Sequence, residues 1–313
     1  MNKPRIVVLG GTGFVGSRLV SALARAGWRV TVASRNAMHK PALGAIPEVR
    51  VVSVDPLDSA ALARLLDGAA AAVNLIGILN ERGFSGAGFQ RAHVDIPTAL
   101  IAACRQAGVS RLVQMSALNA GRGKSHYLRT RGEGEQVVKG SGLDWTIFQP
   151  SVIFGPGDGL YCRFAGLLDL APVLPLAKPG AKFAPVYVGD VAAAFLRALD
   201  DPDSSCGQVY ELYGPQVFTL REIVAWTAQQ RGQRRCILPL PDTLGRLQAM
   251  LMDFIPGKPF SSDNWKSLQV DSVGGIDGLY RLGIAKTPVA RIMRPLLAGI
   301  GKQSRLDRYR AGG

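Results

Sequence analysis

Apolar and polar positions alternate between two periods along the first 150 residues. Ile6-Val7-Val8-Leu9 is a continuous apolar run, the pattern of a strand buried on both faces. It ends in Gly10-Gly11-Thr12-Gly13-Phe14-Val15-Gly16, after which Leu19, Val20 and Leu23 recur at helical spacing as far as Gly27. The unit then repeats. Further strands are predicted at 29–33, 49–54, 70–76, 111–115 and 145–148, with helices at 59–66, 89–107 and 126–139. Asp58 or Ser59 caps the first of these helices, and Gly108 stops the second. Such alternation implies a parallel sheet with helices on both faces. The fold class is therefore α/β, a Rossmann-type doubly wound parallel sheet with a smaller C-terminal α/β lobe.

Beyond Pro150 the rhythm breaks, and Pro156, Pro172, Pro175 and Pro179 punctuate the chain. Strand-like pieces remain at 183–188 and 209–212, and helical ones at 191–199, 220–231 and 243–254. The expected organisation is a dinucleotide-binding domain over 1–150, a smaller lobe over 151–278 interleaved with the main sheet, and a basic amphipathic segment over 279–313. That last segment holds eight Lys/Arg and one acid, with Leu282, Ile284, Val289, Ile292, Met293, Leu296, Leu297 and Ile300 on an apolar side. Pro288 and Pro295 are expected to prevent one continuous helix there. The segment suits an anionic membrane surface or an acidic partner; a helix covering the lobe, followed by a free tail, is the alternative.

Composition narrows the chemistry. With 313 residues, 47% of them apolar, a sizeable core can be buried. A formal net charge of +14 asks for an anionic partner, and with no zinc-finger or homeodomain-like pattern nucleic acid is not expected. Cys104, Cys162, Cys206 and Cys236 form no C-x-x-C pair, which fits isolated thiols in a reducing, cytoplasmic setting. Three histidines and no H-E-x-x-H give no reason to expect a metal site. No apolar run reaches the ~18 residues of a membrane span. The glycine loop carries the sharpest signal. Gly10 allows the turn, Gly13 lets backbone approach a pyrophosphate, and Gly16 lets the helix pack on the strand, with Thr12, Phe14 and Val15 presenting amides to the phosphates. A glycine loop without a ligand is the bland alternative.

Five stations in order resemble the extended short-chain dehydrogenase/reductase family, whose members include epimerase- and dehydratase-like enzymes. They are the Gly10–Gly16 loop, Asp55, Asn74-Leu75-Ile76-Gly77, Met115-Ser116-Ala117 and Tyr127. Pro150-Ser151-Val152-Ile153 is similar to the family segment that lines the nicotinamide, and Val186 to Ala192 to its next landmark. Asn74 to Asn80, Ser125 to Arg129 and Asp144 to Phe148 resemble more closely an atypical branch, related to the nucleotide-binding accessory subunit of respiratory complex I. The resemblance runs to about residue 275. It implies a bound NADPH with a structural or sensing part, and a place on the inner face of an energy-transducing membrane. Some members of the branch are linked to quinone metabolism.

The cofactor is read from the end of the second strand, Ala33-Ser34-Arg35-Asn36. No carboxylate stands there to repel a 2′-phosphate, and Arg35 can pair with one. NADP(H) is favoured, with NAD(H) open. Ser34 is expected near that phosphate, Asp55 near the adenine, and Asn74 to Gly77 beside the ribose and pyrophosphate. The family's active members add a tyrosine, a lysine four residues later and a serine. Here Ser116 and Tyr127 hold those places, but the lysine position is Arg131. A guanidinium keeps the positive charge yet cannot pass a proton on. The short span between Ser116 and Tyr127 also leaves little chain for a substrate loop. Two readings stay open: an accessory, assembly or sensing protein of a respiratory or quinone system, and an active oxidoreductase or epimerase-like enzyme on a hydrophobic carbonyl or quinone-type substrate. His93 and His126 read as structural or site-adjacent, and Trp145 as core.

Overall fold

Residues that read as continuously apolar lie at the centre of a seven-stranded parallel sheet. The computed structural model describes residues 3–36, 41–256 and 258–299. The strands are β1 (Arg5–Leu9), β2 (Arg29–Ser34), β3 (Val49–Ser53), β4 (Ala71–Asn74), β5 (Arg111–Met115), β6 (Asp144–Pro150) and β7 (Gln208–Leu212). Their order is β7-β6-β5-β4-β1-β2-β3, the arrangement of a doubly wound dinucleotide fold. Ile6, Val7, Val8 and Leu9 are fully buried because helices cover both faces. On one face Leu62 and Leu66 of α2 (Ser59–Leu66) and Leu100, Ala103 and Cys104 of α3 (Ile96–Ala107) pack on Val7, Leu9 and Leu112. On the other, α1 (Phe14–Arg25) packs with α5 (Val188–Asp200). Between them in sequence runs α4 (His126–Lys139).

The chain forms two compact units. One comprises the described residues up to Pro150 together with Val188–Leu212 and Ile276–Ile284. The other comprises Ser151–Tyr187, Tyr213–Gly275 and the described residues from Ala285 onward. Its core joins Phe154, Tyr161 and Ile223 to Val289, Met293 and Leu297, beside a second cluster around Leu168, Leu176 and Val224. The chain thus returns to the first unit twice after Pro150, so 151–278 is not one continuous block.

Local differences from the sequence reading have physical causes. β4 stops at Asn74 rather than Ile76, because the Asn74 side chain accepts from the Ile76 amide (3.0 Å) and turns the chain out of the ladder. The expected strand at 183–188 splits into Lys182–Phe183 and Val186–Tyr187 around Pro185, which cannot donate to a ladder. The helix before α3 starts at Ala87 and takes a π-helical turn over Arg91–Asp95. Pro295 does not break the C-terminal helix Val289–Ala298. It sits on the exposed side while Val289, Met293 and Leu297 bury opposite it, and that burial outweighs one lost backbone bond. The apolar side of this segment therefore lies in its unit's core, and its basic Arg291 and Arg294 face outward. The rest of the basic tail, from Ile300, lies outside the described residues.

Candidate functional site

The loops after β1, β2, β4 and β5 open at the carboxyl edge of the sheet. Gly10 has φ +76°, and a Cβ there would sit 3.1 Å from the backbone of both Leu75 and Ile76. This brings the β1 and β4 loops into contact. A Cβ on Gly16 would strike the Gly10 carbonyl and the Gly11 backbone, so the first turn of α1 can lie on the loop only with glycine there. Gly13 is exposed, stands at the N-cap of α1 in an extended conformation, and has no side chain to cap it. No acidic residue stands in the first turn. The amides around Thr12, Phe14 and Val15 and the positive helix end thus face an uncapped opening, the fit that a diphosphate requires.

At the neighbouring edge Ser34 ends β2 half-buried. Its hydroxyl turns onto the backbone of Asn36 (Oγ to O 3.1 Å, N to Oγ 3.3 Å). Arg35 is exposed and makes no side-chain hydrogen bond or ion pair with the described residues, while its carbonyl accepts from Ser53 Oγ (3.2 Å). Asp55 is exposed and accepts from the Leu57 amide (3.0 Å). A guanidinium with no partner among the described residues thus stands at the end of β2.

Asn74 is fully buried, unlike a residue aimed at ligand. Its Nδ2 donates to Gln114 Oε1 (3.0 Å) on β5, and Gln114 Nε2 donates to the Met115 carbonyl (2.9 Å). The side chain ties two strand ends together and leaves the backbone of Leu75, Ile76 and Gly77 to shape the edge.

Ser116, Tyr127 and Arg131 gather beyond β5. Ser125 caps α4 by accepting from the Leu128 amide (3.1 Å), which sets Tyr127 and Arg131 one turn apart. Arg131 Cζ lies 5.5 Å from the centre of the Tyr127 ring. Arg131 is buried, with Nη1 donating to the Met115 carbonyl (3.0 Å). Its guanidinium lies so close over Gly77 that a Cβ there would collide with it. Arg131 Nε is buried with no acceptor among the described residues. The Tyr127 ring also meets His93 and Phe89 edge-on, with centroids 5.5 Å and 6.3 Å away. Ser116 is buried, and its hydroxyl donates to Glu135 Oε1 (2.5 Å), which also accepts from Gln149 Nε2 (2.7 Å). Lys139 Nζ reaches Glu135 Oε2 (3.3 Å). A cleft of about 480 Å³ opens beside Glu135 and Gln149.

His93 is a buried structural histidine. Thr130 Oγ1 donates to the His126 carbonyl (2.8 Å), so His93 Nδ1–H donates to Thr130 (2.9 Å) and Nε2 accepts from the Ile78 amide (3.2 Å). Burial, and next the charge of Arg131, pull its pKa down to about 2. His126 is half-buried beside Gly86, and Trp145 packs half-buried on the core. Pro150 is buried at the end of β6. Val152 and Ile153 fall in the second unit, where the Val152 carbonyl accepts from Val186 (3.0 Å) and Ile153 pairs with Val186.

Glu135 and Gln149 escape a reading by residue type, since a charged residue on a helix reads as solvated and a lone polar residue on a strand carries no motif. A signal was present in the two glycines inside α4. A Cβ on Gly132 would meet the Gly121 backbone, and one on Gly134 the His93 carbonyl. Glycine inside a helical pattern marks close approach, and here it brings α4 down onto the site.

A family model described as NAD(P)H-binding matches residues 10–202. The chain belongs to this NAD(P)H-binding family. The chain is 33% identical over 281 residues to NADH dehydrogenase (ubiquinone) 1 alpha subcomplex subunit 9, mitochondrial, of Arabidopsis thaliana, covering 86% of this chain and 68% of that protein. It is 30% identical to the Mus musculus protein of the same name, covering 90% and 76%. A ceramide reductase of Caulobacter vibrioides is 32% identical, covering 76% and 74%. Among solved structures, a dTDP-glucose 4,6-dehydratase from Streptomyces venezuelae with NAD bound has a TM-score of 0.74 at 20% identity, covering 94% of this chain and 95% of that one; it shares the fold. The family's domain thus begins at the glycine cradle and runs through all of β2 to β6. Among the described residues no helix is long and apolar enough to cross a membrane.

Proposed function

We propose that this NAD(P)H-binding protein holds NADP(H) as a structural or sensing ligand and serves as an accessory or assembly factor on a membrane respiratory or quinone system. The supporting observation is that the Ser116 hydroxyl and the Arg131 Nη1 beyond β5 are committed to protein partners, with Arg131 Nε left without an acceptor among the described residues. The Ser116 hydroxyl donates to a buried carboxylate, and Arg131 replaces the lysine, held on the Met115 carbonyl and over Gly77. A donated hydroxyl hydrogen is not available to a substrate carbonyl, and a guanidinium does not relay a proton. In this reading the Gly10–Gly16 amides hold the diphosphate, Ser34 and Arg35 the 2′-phosphate, and Asp55 the adenine side. The Asn74–Gly77 backbone lies along the ribose, and Tyr127 touches it. Pro150, Val152 and Ile153 are assigned to the nicotinamide end from sequence likeness alone. A bound nicotinamide would supply hydride chemistry. The relatives named as alpha subcomplex subunits favour a respiratory partner on the inner face of an energy-transducing membrane. Exposed Arg291 and Arg294 add positive charge for such a contact.

The second reading is an active reductase or epimerase-like enzyme. It is favoured by the half-buried Tyr127 standing at the family's tyrosine position, with the Arg131 guanidinium 5.5 Å from its ring centre. The Arg131→Lys and Tyr127→Phe variants separate the two. NADPH oxidation is followed with carbonyl and quinone compounds. The accessory role expects background rates in all three proteins. Turnover that rises in Arg131→Lys and vanishes in Tyr127→Phe would establish the enzyme.

A further inference from the structure

The second unit carries a helix turned inside out. α6 (Asp242–Met252) and the turn after it bury Gly245, Ala249 and Asp253, yet Leu244, Leu247, Met250, Leu251, Phe254 and Ile255 are exposed. Leu251 is 63% exposed and Phe254 79%. At ~100° per residue Leu244, Leu247, Met250 and Leu251 fall on one side of α6, and Phe254 and Ile255 follow in the turn beyond it. An ordinary surface helix puts charge there. Among the described residues of α6 the charged side chain nearest this side is Arg246, which is exposed and has no ion pair or hydrogen bond with the described residues. The helix is docked by small contacts. Gly245 lies against Ala177, Gln248 Nε2 donates to the Pro175 carbonyl (3.2 Å), and Lys178 pairs with Asp242 (2.6 Å).

The adjoining two-stranded ribbon also exposes apolar residues. Cys236 pairs with Val173 and Leu238 with Pro175, and all four residues are exposed on one side of the ribbon. Arg234, two residues before the ribbon strand, is exposed. An apolar face of this size edged by arginine, on a chain of net charge +14, disfavours a second copy of the same cationic chain. It suits a surface that is apolar beneath and anionic above.

We propose that the exposed face of α6 and the Val173–Leu238 ribbon seat this protein on the surface of an anionic phospholipid bilayer. Leu247, Leu251 and Phe254 enter the acyl boundary, and Arg246 and Arg234 meet the phosphates. The proposal deepens the membrane partner named above and rests on that reading for its biological setting alone.

The test is flotation of the full chain with unilamellar vesicles of phosphatidylcholine, with and without phosphatidylglycerol. The variants are Leu247→Asp/Leu251→Asp/Phe254→Asp, Arg234→Glu/Arg246→Glu, and a chain lacking residues 302–313 with Arg291 and Arg294 neutralised. Thermal stabilisation by NADPH reports folding separately. The expected result is binding to the anionic vesicles that the triple variant weakens by at least about tenfold (~1.4 kcal/mol). The double charge variant weakens it too, and the tail variant keeps most of it. The docking is overturned if the wild-type chain floats with neither vesicle, or if the triple variant floats as well as wild type. It is likewise overturned if only the tail variant loses binding. A triple variant that changes oligomeric state with unchanged flotation identifies a protein contact instead. Failure here with NADPH stabilisation intact would remove the bilayer contact and leave the nucleotide reading standing.

Discussion

The cradle after β1 and the corner beyond β5 stand on one sheet and treat polar groups oppositely. In the cradle, backbone amides at the start of α1 are left uncapped, and Arg35 nearby has no partner among the described residues. In the corner, Ser116, Glu135, Gln149 and Lys139 satisfy one another, as do His93, Thr130 and the Ile78 amide. Open donors attract a ligand, whereas satisfied ones stiffen a core. The contrast supports the proposed reading, in which the molecule holds a dinucleotide more than it acts on a second substrate.

The contrast breaks most decisively at Gly16. Gly16→Val drives a side chain into the Gly10 carbonyl, so the rise in Tm that NADPH causes should vanish, a loss of more than about 100-fold in affinity. Circular dichroism checks that the sheet survives. Next comes Arg35→Glu, which in the proposed reading sets a carboxylate against the 2′-phosphate. It is expected to weaken NADPH by about 100-fold and NADH by less than about threefold, read as a ratio of dissociation constants.

The corner responds in stability rather than in affinity. His93 binds protons more readily unfolded, near its ordinary 6.5, than folded, near 2. Stability should thus be flat above that unfolded pKa and fall as pH drops below it. From pH 7 to pH 5 the loss from this group is about 2 kcal/mol, and His93→Asn should remove that slope in urea melts. Glu135→Gln keeps the shape but weakens the Ser116 bond and the Lys139 pair. A loss of about 1–2 kcal/mol in the same melts, with NADPH affinity unchanged, is expected. An equally large loss of NADPH affinity would join the corner to the cradle and erase the distinction.

The frame of the fold was legible because its signals are local. Ile6–Leu9 reads as a doubly covered strand, and α4 begins at His126 and ends at Lys139 where its spacing places it. The Gly10 and Gly16 roles follow from a turn and a close approach that only glycine allows. What stayed hidden depends on partners distant in sequence. Glu135 reads as a solvated helix residue until Ser116 and Gln149 surround it, and Asn74 reads as a ligand contact until Gln114 takes its amide. The stretch of α6 reads only as a helix over 243–254, because apolar spacing does not show which way an apolar face points. Pro295 reads as a break because a proline's local cost is visible in sequence and the compensating burial of Met293 and Leu297 is not.

Calorimetric titration of the purified chain with NADPH and with NADH tests the cradle most directly. A single saturable site that favours NADPH, and that Gly16→Val abolishes, is the expected result. Absence of heat with either nucleotide, or equal binding in the Gly16→Val variant, would contradict it.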